Sequence, residues 1–124
     1  MNPSTAAVIC TWNKRDDLLE CLASLRRTEG PAFDLVVVDN ASSDGSAEAV
    51  RSRFPEVKLI VNPRNLGGAG GFNTGLRWLL ANPAYRRAWL LDNDVVVDPG
   101  ALSGLQAELD RAPDVAVAGS LILR

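Results

Sequence analysis

The chain has 124 residues, enough for a single domain that buries roughly two thirds of the surface that its unfolded form exposes. Thirteen basic and fifteen acidic residues give a net charge of −2, without the basic cluster that binds nucleic acid, and histidine is absent. Composition therefore argues against a nucleic-acid partner, excludes a histidine base, and leaves oxygen atoms as the ligands of any metal.

The cysteines and the first residues indicate the compartment. Cys10 and Cys21 lie inside apolar segments without CxxC spacing, which is typical of buried thiols in a reducing environment. The first residues lack the pattern of a signal peptide, and no apolar run approaches the length of a membrane span. We expect a cytoplasmic protein with no transmembrane segment; a peripheral position at the inner face of the membrane stays open.

Apolar runs alternate with amphipathic segments along the chain. Strands are predicted at 6–11, 33–38, 57–61, 87–91 and 115–123. Leucine spacing and helix-cap residues predict helices around 18–25, 46–54, 72–80 and 102–109, with Asn13, Asp44 and Asp98 as caps. Apolar strands that alternate with helices favour an α/β, Rossmann-like fold, a mostly parallel sheet of about five strands with helices on both faces.

A glycine-dense stretch at 64–71 follows the third predicted strand and is predicted to form a loop before a helix that starts at Phe72. Two explanations stay open: the backbone approaches a ligand, or the glycines allow a tight turn and close helix packing. The stretch is not a Walker loop, because no GK[ST] follows. It also lacks the dinucleotide fingerprint, because Asn73 stands where the third glycine belongs.

Polar residues follow each of the first four predicted strands. The carboxyl ends of parallel strands meet at one edge of a sheet, where ligands bind in open α/β folds. A nucleotide with its metal suits such an edge, although turn residues are common at strand ends in any protein. The residues are Thr11 and Asn13, Asp39 and Asn40, Asn62 with Arg64 and Asn65, and Asp92, Asn93 and Asp94.

Two of these positions carry carboxylates that suggest specific chemistry. Asp39 can accept hydrogen bonds from a base or from ribose hydroxyls, or serve only as a turn residue. Asp92 and Asp94 would share a face in extended backbone, with Asn93 turned away. Two carboxylates that close indicate a bound cation or a solvated turn. With diphosphate oxygens they suit Mg²⁺ or Mn²⁺, so we predict a divalent metal site.

Four segments in this order resemble the motifs of the family 2 glycosyltransferases of GT-A fold. They are VICTWNK at 8–14, VVVDNASSDGS at 36–46, NLGGAGGFNTG at 65–75 and LDND at 91–94. The third segment is most similar to the branch that includes rhamnosyl- and galactofuranosyltransferases. Trp12 departs from the tyrosine or phenylalanine that is usual there. The resemblance covers nearly the whole chain, but only the nucleotide-binding half of such an enzyme.

The resemblance implies a single nucleotide-diphospho-sugar-binding domain over residues 1–124, and it implies roles for individual residues. Thr11 and Asn13 would border the nucleotide, Asp39 would recognise the base, Asn65 and Gly67 would flank it, Asp92 would lie near the ribose or the metal, and Asp94 would coordinate the metal.

The resemblance also implies a reaction, namely inverting transfer of a sugar from a UDP- or dTDP-sugar to a hydroxyl of an acceptor glycan or lipid-linked sugar, with Mg²⁺ or Mn²⁺. The acceptor site and the general base would come from sequence beyond the fifth strand, so no catalytic base is identified. We expect the donor domain of a longer enzyme, or a homo-oligomer that completes itself.

Two other functions stay open. A non-catalytic nucleotide-sugar-binding or partner module would bind the donor without transfer or hydrolysis. A phosphatase or phosphoryl-transfer domain would use Asp92 as its nucleophile, although no lysine or Ser/Thr pairing supports that chemistry. Phosphatase activity that is lost on Asp92→Asn would distinguish this last function.

Overall fold

A computed structural model describes residues 3–114 and 117–119 of the chain. Strands and helices alternate along this part, as the sequence predicts. The elements are β1 (Thr5–Thr11), α1 (Arg15–Arg26), β2 (Asp34–Asp39), α2 (Ser46–Arg53), β3 (Lys58–Val61), α3 (Gly67–Leu80), β4 (Arg87–Leu91) and α4 (Ala101–Arg111).

The described strands form one parallel sheet in the order β3-β2-β1-β4. β1 lies between β2 and β4, and its register with β2 runs from the Ala6–Asp34 pair to the Thr11–Asp39 pair. Each parallel connection passes through a helix, because a tight turn cannot join two parallel strands. The carboxyl ends of β1 and β2 therefore lie side by side.

Side chains of the sheet alternate between two helical layers. Ile9 and Val37 pack on the face that α1, α2 and α4 cover, whereas Val8 and Val38 pack on the face that α3 covers. Between their polar first and last residues, both central strands are apolar, because both of their faces are buried. The expected α/β fold with helices on both faces of a parallel sheet is confirmed.

The described part of the chain contains four strands, not the five that the sequence predicts. The fifth is predicted at 115–123, of which only 117–119 are described, and these three residues have no strand conformation. The rest of that predicted strand lies outside the described residues. β4 is consequently an edge of the described sheet.

The glycine-dense stretch is a loop only at residues 64–66; residues 67–71 belong to a helix, so the prediction of a loop is wrong for them. α3 begins at Gly67 instead of Phe72. A Cβ on Gly71 would lie 2.1 Å from Cys10 Sγ, and one on Gly75 would lie 2.5 Å from Val8 Cγ1. Close packing on the sheet thus explains both glycines and offsets their poor helix propensity. Within the described ranges, no helix is both long and apolar enough to cross a membrane.

Candidate functional site

The polar residues at the strand ends come together at one edge of the sheet, as predicted. Thr11 and Asp39 are the last residues of β1 and β2 and pair in register. Asp92 follows β4, on the other side of β1. Asn62 follows β3, and its backbone N–H donates to the carbonyl of Asp39 at 2.8 Å. Ends of all four described strands therefore contribute to this edge.

Asp39 lies almost completely out of contact with solvent, with 1% of its surface exposed. The Ser42 hydroxyl donates to Asp39 Oδ1 at 2.5 Å, and the Ser42 N–H lies 3.4 Å from each carboxylate oxygen. Burial, and then the charge of Asp39, raise the pKa of the nearby Cys10 thiol. The Ser42 contacts fix the orientation of the carboxylate while leaving Oδ2 without a close donor among the described residues.

The loops that follow β1 and β2 hold each other in unusual backbone conformations. Asn13 and Ala41 have φ angles of +50° and +62°, in the left-handed region. The Asn13 N–H donates to Ser42 Oγ at 2.9 Å, and Asn13 Oδ1 accepts from the Ser43 N–H at 2.8 Å. Asn13 therefore joins two loops and is not the cap of α1, whose N-cap is Lys14.

Asp44 connects the starts of two helices. Its Oδ2 accepts from the Arg15 N–H at 3.0 Å, and its Oδ1 accepts from the Ser46 N–H at 3.1 Å. Burial opposes ionisation, but the hydrogen bonds from the Ser46 side chain and the two N–H groups outweigh it and lower the pKa of Asp44. The prediction of Asp44 as the cap of α2 is therefore wrong by one residue: the N-cap is Gly45, and Asp44, which precedes it, accepts from the N–H groups at the starts of both helices.

The acidic segment forms a turn after β4, so the prediction of extended backbone there is wrong. Asn93 Nδ2 donates to Thr11 Oγ1 at 2.9 Å, and the Asp92 carbonyl accepts from the Cys21 thiol at 3.7 Å. The residues Asp92 and Asp94 are exposed. Contacts with β1 and α1 thus hold the middle of the turn and leave both acidic residues facing solvent.

The acidic turn offers two oxygen donors to a cation. No group of three or more His, Cys, Asp or Glu side chains that could hold an ion occurs within residues 3–114 and 117–119. A pair of carboxylates suits a hard divalent ion whose remaining positions are filled by water and phosphate oxygens. Asp98, predicted as a helix cap, instead accepts from the Gly100 N–H at 2.9 Å, before α4.

The start of α3 lies next to open space at the same edge. Asn65 Oδ1 accepts from the Gly67 N–H at 2.8 Å, and Gly67 has a φ of +75°. A Cβ on Gly67 or Gly68 would meet no atom within 4 Å. The first N–H groups of a helix have no acceptors within it. The Asn65 side chain supplies an acceptor for one of these N–H groups and fixes the turn that leads into the helix.

Sequence reasoning missed the roles of three small polar residues at this edge. Ser42 links Asp39 to Asn13, Asn93 links the acidic turn to β1, and Asn40 contacts several strand ends at once. Each follows a strand, where turn residues are expected anyway. Only the three-dimensional contacts distinguish these residues from ordinary turn residues.

Comparison with known proteins identifies the family. The family described as Glycosyl transferase family 2 matches residues 6–124. The chain belongs to this family. The resemblance found in the four sequence motifs is therefore confirmed.

Several curated proteins are similar to the chain in sequence. The chain is 31% identical over 113 residues to the succinoglycan biosynthesis protein ExoO of Rhizobium meliloti (strain 1021). The aligned segment covers 89% of the chain and 31% of that protein. It is 35% identical over 96 residues to the galactofuranosyltransferase GlfT1 of Mycobacterium tuberculosis, over 76% of this chain and 31% of that protein. It is 29% identical over 122 residues to the N-acetylglucosaminyl-diphospho-decaprenol L-rhamnosyltransferase of M. tuberculosis, over 93% of this chain and 40% of that protein. The chain thus spans about a third of the length of these relatives.

Solved structures share the fold. The S. aureus TarS 1–349 structure in complex with UDP superimposes with a TM-score of 0.72 at 24% identity, over 90% of this chain and 32% of that one. The mannosyltransferase PcManGT from Pyrobaculum calidifontis, in complex with GDP-Man and Mn²⁺, gives a TM-score of 0.68 at 24% identity, over 88% and 33%. Both support the fold assignment described above.

Proposed function

We propose that this chain is the donor-binding domain of a family 2 glycosyltransferase, which binds a nucleoside diphosphate sugar together with Mg²⁺ or Mn²⁺. The observation that carries the proposal is the arrangement of Asp39, Thr11 and the Asp92–Asp94 turn across the ends of three adjacent strands, β2, β1 and β4. Neighbouring strands lie about 4.8 Å apart, so the outer two ends are roughly 10 Å apart. That distance suits a nucleoside at one end and its phosphates at the other.

The roles follow from the chemistry of each group. Asp39 accepts hydrogen bonds from the base, since its carboxylate is an acceptor held in a buried position. Thr11, at the end of β1, and Asn13, in the loop that follows, border the nucleotide. Asn65 and Gly67 flank it where α3 begins and where the backbone leaves open space.

Asp94, with Asp92, would hold the divalent ion. Both residues are exposed at the end of β4, and carboxylate oxygens are the ligands that Mg²⁺ and Mn²⁺ prefer. When bound, such an ion neutralises the charge of the leaving diphosphate. The contribution of the chain is to hold the two carboxylates through the bonds that Asn93 and the Asp92 carbonyl make.

The substrates are proposed from the relatives. PcManGT was solved with GDP-Man and Mn²⁺, and TarS with UDP and with UDP-GlcNAc. We propose a UDP- or dTDP-sugar as donor and inverting transfer to a hydroxyl of an acceptor glycan or lipid-linked sugar. A lipid-linked acceptor would place the protein at the inner face of the membrane. The acceptor site and general base would belong to the two thirds of the relatives' length that this chain does not span.

A second candidate is a non-catalytic module that binds a nucleotide sugar without transferring or hydrolysing it. The observation that favours it is that the sequence contains no histidine and that no other residue in it is identified as a catalytic base. Release of nucleoside diphosphate from a UDP-sugar by the purified chain, measured with and without candidate acceptors, separates the two functions.

The decisive experiment is calorimetric titration of UDP into the purified chain with Mn²⁺ and then with EDTA. We expect heat of binding that depends on the metal and is lost in Asp94→Ala. Asp110→Ala is the matched control. Asp110 Oδ1 lies 2.6 Å from a guanidinium nitrogen of Arg87, at the opposite end of β4 from the acidic turn, so the substitution should leave UDP binding intact. A folded chain that binds no UDP under either condition, or that binds equally well after Asp94→Ala, would contradict the proposal.

A further inference from the structure

Asn40 is a buried amide directly after β2, with 2% of its surface exposed. Its backbone N–H donates to the Thr11 carbonyl at 2.9 Å and so extends the pairing of β1 with β2 by one residue. Successive side chains of a strand point to opposite faces. Asn40 therefore lies on the α3 side with Val38, while Asp39 lies on the side of α1 and α2.

The Asn40 side chain makes four hydrogen bonds, the full number that an amide offers. Its Oδ1 accepts from Asn62 Nδ2 at 2.8 Å and from the Leu66 N–H at 3.5 Å. Its Nδ2 donates to the Gly67 carbonyl at 3.0 Å and to Cys10 Sγ at 3.3 Å. One side chain thus joins the ends of β1, β2 and β3 to the turn that begins α3.

The network continues into α3 and is sealed by its packing. The Thr74 hydroxyl lies 3.1 Å from the carbonyl of Gly70, one helical turn earlier, and 3.3 Å from Asn62 Oδ1, so its single proton is shared between these two acceptors. A Cβ on Gly71 would lie 2.9 Å from Asn40 Nδ2. The helix can therefore cover the amide only because residue 71 has no side chain, and this cover shields the four bonds from water.

We propose that Asn40 is a positioning residue for nucleotide binding, which fixes the turn formed by Asn65, Leu66 and Gly67 relative to Asp39. The inference rests on the proposed function, since it assigns Asp39 and this turn to one nucleotide site. The adjacent residues Asp39 and Asn40 have separate roles: Asp39 is the proposed acceptor for the base, and Asn40, on the α3 side of the sheet, holds the backbone of Leu66 and Gly67. Burial of a polar amide is tolerated there because every polar atom has a partner.

The test compares two variants at this position. Asn40→Ala removes all four bonds. Asn40→Asp keeps the size and the acceptor for Asn62 but removes the donor to the Gly67 carbonyl. Amide hydrogen exchange at Leu66 and Gly67, whose N–H groups bond to the side chains of Asn40 and Asn65, and the Kd for UDP with Mn²⁺ are measured for each variant. We expect exchange at least tenfold faster at these amides and a Kd at least fivefold weaker.

Two controls separate positioning from general loss of stability and from charge. Val50→Ala opens a cavity in α2, on the other face of the sheet, and should speed exchange broadly while leaving the Kd within twofold. Uridine carries no phosphate that the new carboxylate of Asn40→Asp could repel. Weaker binding of uridine to this variant would therefore reflect only the displacement of the turn at residues 65–67. Chemical shift titration measures this weaker affinity.

The outcomes are distinct. A Kd within twofold of wild type in Asn40→Ala, or unchanged exchange at Leu66 and Gly67, would overturn the positioning role. If Asn40→Ala does not fold, the same limits apply to Asn40→Asp with uridine. A wild-type chain that binds no UDP would overturn the proposed function, and the positioning role with it, even if the exchange pattern changes as expected.

Discussion

Asn93 Nδ2 lies 2.9 Å from Thr11 Oγ1, so a single hydrogen bond joins the acidic turn after β4 to the end of β1. Thr11 is 2% exposed, which shields its end of the bond from water. Asn93 stands between the two acidic residues proposed to bind the metal. The bond therefore fixes the turn on the side away from the carboxylates, and its loss should affect their position.

A double-mutant cycle between Thr11→Val and Asn93→Ala measures this bond. A buried hydrogen bond contributes about 1 kcal/mol, so we expect each variant to lower the free energy of unfolding by about that amount. The double variant should lose less than the sum, with a coupling of about 1 kcal/mol. Urea unfolding followed by circular dichroism gives the three values. Losses that add to within about 0.3 kcal/mol would show that the bond contributes nothing.

The glycines of α3 yield a second prediction. Alanine has the better helix propensity by up to about 1 kcal/mol, yet we expect Gly71→Ala and Gly75→Ala to destabilise the fold. Their Cβ atoms would lie 2.1 Å from Cys10 Sγ and 2.5 Å from Val8 Cγ1, and overpacking of this kind costs roughly 1–3 kcal/mol.

Gly68→Ala is the matched control for these two variants. It lies in the same helix, and its Cβ would meet no atom within 4 Å. We expect it to keep or raise the midpoint of thermal unfolding, because only the propensity changes. Equal effects of all three substitutions would contradict the packing explanation of the glycine-rich segment.

These glycines also show what the sequence can and cannot predict. Alternating apolar runs predict the parallel sheet and its two helical layers, because burial on both faces leaves a direct signature in β1 and β2. The start of α3 cannot be predicted this way. Glycine propensity disfavours a helix at 67–71, and the packing of α3 on the sheet, which leaves no room for a Cβ at Gly71, carries no signal in the local sequence.

The candidate site shows the same limit. Position after a strand brings Asp39, Asn62 and Asp92 to one edge, and parallel topology alone is enough for that prediction. Asn93 is turned away from the exposed residues Asp92 and Asp94, as predicted, but the backbone there forms a turn and is not the extended segment from which that arrangement was predicted. Asn13 looks like a helix cap in the sequence, yet its left-handed backbone places it between two loops. Contacts between segments that are far apart in the chain leave no recognisable pattern in the local sequence.

Tyr85 gives a prediction about pH. Its hydroxyl donates to Asp34 Oδ2 at 2.5 Å, and burial, followed by the hydrogen bond and charge of Asp34, raises the pKa of Tyr85 to about 12. The unfolded chain should lose this proton near pH 10. The contribution of Tyr85 to stability is therefore complete below about pH 10 and is lost as the pH rises toward 12.

The chain contains one tyrosine, so its phenolate absorbance can be followed directly. We expect a titration midpoint near pH 12 in the folded chain and near 10 in urea, with Asp34→Asn shifting the folded midpoint downward. Difference spectra recorded rapidly after a pH jump keep the chain folded during the measurement. A folded midpoint near 10 would contradict the contact with Asp34.

Ser42 leads to the prediction most closely tied to the site. Its hydroxyl accepts from the Asn13 N–H at 2.9 Å and donates to Asp39 Oδ1 at 2.5 Å, so it joins two residues proposed to contact the nucleotide. Ser42→Ala leaves an N–H without its acceptor and a buried carboxylate without its strongest donor. If the lost orientation of Asp39 weakens the binding free energy by about 1 kcal/mol, the Kd for UDP with Mn²⁺ becomes roughly fivefold weaker.

Ser43→Ala is the matched control for Ser42→Ala, because Ser43 bonds to Asn13 mainly through its backbone N–H, which the substitution keeps. Its hydroxyl lies 3.4 Å from Asn13 Oδ1 and contributes little. Calorimetry should give a Kd within twofold of wild type for Ser43→Ala and about fivefold weaker for Ser42→Ala. The same Kd in both variants would show that Asp39 does not depend on Ser42 for its orientation, and base recognition would then rest on the strand end alone.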